Sequence, residues 1–243
     1  RPADAASPIA PASPVSMGAP GPPGAPALEW YPPGHLLAWI AVMAGTLSVV
    51  SLLSIGSDVE TITKTAQTLI ERQAKAWAAL GGRALTVDEI GSISRVFVRL
   101  LPGATAMSWM FMITINLWLA GRILRKSGRL FRAWPLLAAL HLPPILYLGL
   151  VGTLVVSFGS GMLALVASGF ASAFVTTYAV LGLTVIHWIT YGRSNRAFII
   201  GAAYVAAFML APYGTLPIAL LGMLKPLLRL RSRTTGPPPA GSV

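Results

Sequence analysis

The stretch His35 to Ile55, HLLAWIAVMAGTLSVVSLLSI, contains no charged side chain. A run of this kind matches the roughly 20 apolar residues a helix needs to cross a hydrocarbon core. Water cannot satisfy a peptide group there, so the backbone must close its hydrogen bonds internally, as a helix does. Further apolar runs lie at about 104–120, 134–158, 162–190, 197–210 and 215–228. The expectation is an all-α polytopic membrane helix bundle of about six transmembrane helices, with two amphipathic helices on its surface. Composition agrees. The chain is 55% hydrophobic and 10% charged, where a soluble domain carries about a quarter charged residues. Pro143-Pro144 interrupts the third run early, and the last two runs are short for full crossings, so a tilted or shallow hairpin stays open there.

The membrane domain is expected over residues 29–233. Residues 1–28 are almost wholly Pro, Ala, Gly and Ser, which reads as a disordered linker, and 234–243 as a disordered tail. The chain begins at Arg1 without an initiating Met, which suggests a processed or truncated product. Trp30-Tyr31-Pro32-Pro33-Gly34 reads as an interfacial anchor ahead of the first span.

Charge sets the expected topology. The seven acids all precede position 90, and every later charged residue is Lys or Arg. Arg122, Arg125, Lys126, Arg129 and Arg132 form a basic cytoplasmic loop after the second span. Shorter basic clusters follow the fourth and sixth spans, so both termini are expected on the cytoplasmic side of a bacterial inner membrane. The cations of segment 57–98 sit awkwardly with an outside location, although they are far sparser than those of 122–132. The basic tail has no aromatic residue to stack on a base, which argues against nucleic acid as a partner.

Residues 57–98 hold most of the polar residues. Ile62, Ala66, Leu69, Ile70, Trp77 and Leu80 recur at helical spacing, opposite Glu60-Lys64 and Glu71-Lys75 pairs at i,i+4. Gly81-Gly82 ends this helix, and Thr86 with Glu89 forms a capping-box pattern for a second. Pro102-Gly103 is expected to break that second helix before the next span begins.

Catalytic chemistry is hard to assemble. With no cysteine, thiolate catalysis and Cys-based metal sites are absent, and no acid lies within any expected span. His35, His141 and His187 all fall near span ends and read as interfacial residues. No catalytic, metal or cofactor site is assigned, and the chain reads as a non-enzyme. Asn116 is the costliest polar group within a span. Its own helix face offers only Trp109 and Met112, so its partner must come from another helix. Thr176, Thr177, Tyr178 and Thr184 are expected to hydrogen-bond between helices or to face a cavity. Trp109, Asn116 and Thr177 are the candidate ligand-binding residues.

EWYPPGHLLAW, NLWLAGRILRKSGRLFRAWP, GLTVIHWITYGRSNRAFIIGAAYV and LLGMLKPLLRLR resemble the YybS-like membrane proteins, the bacterial domain-of-unknown-function 2232 family, in its alphaproteobacterial form. The resemblance spans about 28–233 and is most specific between Asn116 and Trp134. It implies a C-terminal portion of a longer membrane protein, since the family usually has further helices ahead of this region. It also implies distant similarity to the substrate-binding components of vitamin transporters and to the rod-shape protein MreD. Relatives tend to carry an acid after a Leu-Leu-Gly-Leu stretch where this chain has Lys225 and Pro226. The expected function is binding or transport of a small solute, in a cavity closed by segment 57–98. The alternative is a non-catalytic scaffold that recruits a membrane protein partner through the basic loop. The lipid bilayer is a partner in either case.

Overall fold

The computed structural model describes residues 31–129, 140–209 and 214–225. Regular structure among them is entirely helical: α1 Pro33–Ile55, α2 Val59–Ala79, α3 Val87–Lys126, α4 Ile145–Ser157, α5 Gly161–Ile189, α6 Arg196–Met209 and α7 Thr215–Leu224. Three of these, α1, α3 and α5, are long and apolar enough to cross a membrane; α4, α6 and α7 are shorter apolar helices. The third expected span begins in residues 134–139, outside the described residues. Within its described part the helix starts only after Pro143-Pro144, whose missing N–H groups suit the entry of a helix rather than its interior.

The bundle is organised around α5, which packs against α1, α3, α4 and α7. Its buried positions include Ala167, Gly169, Ala171 and Ala173. Small residues allow backbones to approach closely, which matters where lipid is as apolar as any side chain. The approach is tightest against α7. A Cβ on Gly182 would collide with the Ile218 carbonyl, and one on Gly222 with the Tyr178 carbonyl. Ile40, Ala44, Met110, Leu150, Phe174 and Ile218 belong to the main core. A second cluster of Leu52, Ile62, Ala66, Val98 and Leu165 joins α2 to the end of the bundle.

The threonines of α5 depart from the expected interhelical bonding. Thr176 donates to the Ser172 carbonyl at 2.7 Å, Thr177 to Ala173 at 2.9 Å and Thr184 to Leu181 at 2.6 Å. Each hydroxyl is satisfied by its own helix. A threonine in an apolar bundle therefore needs no partner across the interface.

The second departure is α3. The expected amphipathic helix and the following span are one continuous helix of 40 residues, with Pro102 inside it. A break there would expose several backbone groups to hydrocarbon, whereas an internal proline forfeits one hydrogen bond. Pro102 is buried, Ser48 of α1 donates to its carbonyl at 2.6 Å, and Gly169 of α5 faces its ring. At 1.5 Å per residue, α3 is about 60 Å long, roughly twice the hydrocarbon thickness. Its first turns, with Asp88, Glu89, Arg95 and Arg99, extend beyond the apolar stretch that crosses. The helix also runs on through Arg122, Arg125 and Lys126, so the basic loop begins as its last turns, where cations complement the helix dipole. Arg132 lies outside the described residues.

The α2–α3 hairpin follows its expected signals at the termini. Asp58 caps α2 by accepting from Thr61 N at 2.8 Å, and Gly81 takes the left-handed conformation that turns the chain. The Thr86–Glu89 capping box is complete, and Arg83 forms a two-pronged ion pair with Glu89. Glu60 and Lys64 pair at 2.7 Å on the exposed face, whereas Glu71 and Lys75 form no ion pair. Of the apolar stripe, Ile62 and Ala66 are buried, but Trp77 is 62% exposed and Leu80 84%. The far end of α2 thus presents an apolar surface outward, as a helix lying on a membrane does.

Lys225 at the end of α7 donates to the Leu140 carbonyl at 2.9 Å, and Gly34 of α1 abuts the His141 carbonyl. The start of α1 and the entry to α4 therefore lie together, and the Lys225 side chain reaches them from α7, which runs antiparallel to α5. The α2–α3 hairpin and the α4–α5 turn lie together at the opposite end of the bundle.

Two predictions follow from this packing. Gly182→Ala should destabilise the protein by about 1–3 kcal/mol, because the added methyl meets backbone rather than a yielding side chain. Ser48→Ala should cost about 1 kcal/mol through loss of the Pro102 hydrogen bond. Denaturant titration in detergent measures both; a Gly182→Ala protein as stable as its parent would contradict the α5–α7 contact.

Candidate functional site

Both α3 and α4 pack on α5 or close to it, but they barely touch each other. A groove of about 640 Å³ opens between them, with α5 as its floor. From α3 come Arg99, Leu100, Gly103 and Ala104, followed further along by Met107, Ser108 and Phe111. The spacing of three and four residues puts them on one helix face. α4 contributes Leu154 and Ser157, with Phe158 just beyond its end, and α5 contributes Ala164, Leu165, Ser168 and Ser172. Small residues on α3 and α5 create the depression. A Cβ on Gly103 would sit 2.6 Å from Ser172 Oγ, so the two helices meet there without side-chain bulk.

The wall is mainly apolar and its polar groups are largely committed. Ser108 donates to the Ala104 carbonyl at 2.9 Å and Ser168 to Leu165 at 2.7 Å. Arg99 is the one charged residue in the lining. Its guanidinium reaches the Ser157 carbonyl at 3.5 Å, a long bond that spans the mouth of the groove. The ion pairs among the described residues, Glu60–Lys64 and Arg83–Glu89, involve neither Arg99 nor Arg95.

The sequence-derived candidates lie elsewhere. Trp109 is half-buried against the main core. Asn116 is exposed on the second half of α3 and makes no hydrogen bond among the described residues, so its expected interhelical partner is not found there. Thr177 is fully buried in α5 and bonded to its own helix. None of the three lines the groove, and they are not brought together. Of the basic residues, Arg122 stacks over the Trp118 ring at 5.6 Å, and Arg122, Arg125, Lys126 and Arg129 are all exposed. His187 lies with Nδ1 2.9 Å from the Leu183 carbonyl and its ring edge-on to Tyr204, an arrangement that anchors α5 to α6. No cluster of metal-ligating side chains occurs among the described residues.

Sequence reasoning missed Arg99, Ser168 and Ser172. The available signal was the pairing of Gly103-Ala104 on α3 with an Ala164, Ser168, Ser172 face at i,i+4 on α5. Reading Pro102-Gly103 as a helix break hid it.

The sequence matches DUF2232, described as a predicted membrane protein, over residues 34–224. The chain belongs to the DUF2232 family. No match was found among curated proteins or among solved structures. The DUF2232 region begins in the first turn of α1 and ends with the last residue of α7, so it contains every described helix and the whole groove.

At the first turn of α3, the Arg83 hydrogen bonds and then the Thr86 backbone N–H hold the Glu89 carboxyl at about 2, below its ordinary 4.5. A depressed folded value means the charged carboxylate supports the fold above about 4.5, and that support fades as pH falls towards 2. Amide exchange across residues 87–92, corrected for intrinsic rates, should therefore rise on acidification from pH 5 to pH 2.5. In Glu89→Ala it should already be raised at neutral pH. Unchanged protection in that variant would show that the cap does not hold this end of α3.

Proposed function

We propose that this DUF2232 protein is a non-catalytic component of a bacterial inner membrane that binds a small solute in the groove between α3, α4 and α5. The groove carries this reading. Its volume falls in the range of about 300–1,000 Å³ typical of ligand sites, with mostly apolar walls and few polar groups. The expectation of a membrane cavity near segment 57–98 is kept, with its residues reassigned: the outer half of α3 flanks the mouth, and Arg99, Ser168 and Ser172 replace Trp109, Asn116 and Thr177 as the groups facing a ligand. Both termini are taken as cytoplasmic, on the strength of the basic end of α3 and of the basic clusters that follow the fourth and sixth expected spans.

A scaffold role has one observation in its favour. Asn116 and Trp118 are exposed on the stretch of α3 that leads into the basic residues, a surface available to a partner helix. The groove is the more specific feature, because a scaffold has no use for it.

Thermal unfolding of the full chain in detergent, screened against metabolites, vitamins and lipids, tests the proposal. A ligand present at 100 times its Kd adds about 2.7 kcal/mol of apparent stability. Ala104→Trp should abolish that shift by filling the groove from an exposed position, while Asn116→Leu should retain it. A shift that survives Ala104→Trp and disappears in Asn116→Leu would refute the groove as the site.

A further inference from the structure

We infer that the groove takes an acyl chain of an anionic phospholipid drawn from the surrounding bilayer, with the lipid phosphate held at Arg99. This rests on the groove as a binding site and names its occupant.

Four observations converge on an amphiphile with one anionic end. The groove opens sideways, since α3 and α4 diverge over α5 instead of closing on each other. A molecule can therefore enter from the membrane without crossing water. Second, polarity is graded along it. Arg99 lies at the level of the α4–α5 turn, beside Ser157, and everything below is apolar or a serine. From Arg99 to Phe111 the helical rise gives about 18 Å, a length suited to an extended hydrocarbon chain and longer than a compact metabolite requires.

Third, the serines argue against a polar solute. Ser108 and Ser168 already donate to their own helices, so the floor offers few hydrogen-bond donors to a ligand rich in hydroxyls or amides. The exposed flanks Leu100, Leu154 and Phe158, the last 76% exposed, supply apolar contact instead. Fourth, the cation is available. Arg99 has five N–H donors, one long bond to a carbonyl and, among the described residues, no carboxylate partner. Arg95 lies one turn earlier on the same side of α3, its guanidinium engaged only with Ser92 Oγ at 3.1 Å. Among the described residues, no acid lines the groove to repel an anion. A guanidinium matches phosphate geometry with paired hydrogen bonds, and every phospholipid headgroup on either face of a bilayer carries a phosphate.

The test uses the full chain in mild detergent, with native mass spectrometry and thermal unfolding as readouts. Phosphatidylglycerol, phosphatidylcholine and diacylglycerol of matched chain length are compared, together with glycerol phosphate, which has the anion but no chain. Phosphatidylglycerol should be retained one per protein, at least tenfold more tightly than either other lipid, and glycerol phosphate should not bind. Arg99→Gln should remove the preference and leave chain-dependent binding at the level of phosphatidylcholine, while Arg99→Lys should keep part of it. Ala104→Trp should abolish retention of all three lipids. Preference for phosphatidylglycerol that survives Arg99→Gln, or binding of glycerol phosphate as tight as that of the lipid, overturns the inference. If the lipids show no preference but another solute gives a shift that Ala104→Trp removes, the lipid assignment fails and the groove as a binding site stands. If Ala104→Trp alters nothing that binds, both fail.

Discussion

The bundle depends on how closely helices can approach α5. In water, burying apolar side chains would hold the helices together regardless of their exact spacing. Within hydrocarbon that drive vanishes, and association relies on dispersion contacts and a few hydrogen bonds. Gly169, Gly182 and the alanines at 167, 171 and 173 give α5 a surface low enough for neighbouring backbones to reach. Gly222 answers Gly182 from α7, and Gly45 accommodates the Phe170 ring from α1. The glycines are therefore structural on both sides of the contact.

The same scarcity of hydrogen-bonding partners explains α3. A proline inside a helix needs room for its ring, and here Gly169 of α5 leaves that room while Ser48 of α1 anchors the Pro102 carbonyl. Keeping α3 continuous has a consequence for function. The helix is a single rod from the α2–α3 hairpin to the basic end, so Arg99 is held in fixed register with Gly103, Ala104 and Phe111. Had the chain broken at Pro102, the cation and the apolar groove would have lain on separate elements.

The groove arises from a difference in packing. α5 holds α3 and α4 through small residues, and α4 is only 13 residues long. It ends at Ser157, level with Arg99, and runs beside α5 without closing on α3, which leaves the flank of α3 uncovered. The arginine at the mouth and the apolar walls behind it thus come from two packing facts, each with its own local cause.

The helical membrane class, the extent of α5, the Thr86–Glu89 cap and the glycine end of α2 were legible in the sequence. They depend on apolar run length and on contacts within a few residues. Membership of the DUF2232 family was legible for a related reason, since its motifs are local strings. The continuity of α3 was not, because local chemistry at Pro102 argues for a break, whereas its burial against Ser48 and Gly169 comes from helices distant in sequence. The site was hidden in the same way. Asn116 and Thr177 stand out as polar residues in apolar runs, yet one faces outward and the other is satisfied by its own helix. Which helix faces meet is a property of the packed bundle. Arg99, an ordinary surface cation in the sequence, gains its place at the mouth of a groove only once α3 and α4 have docked on α5.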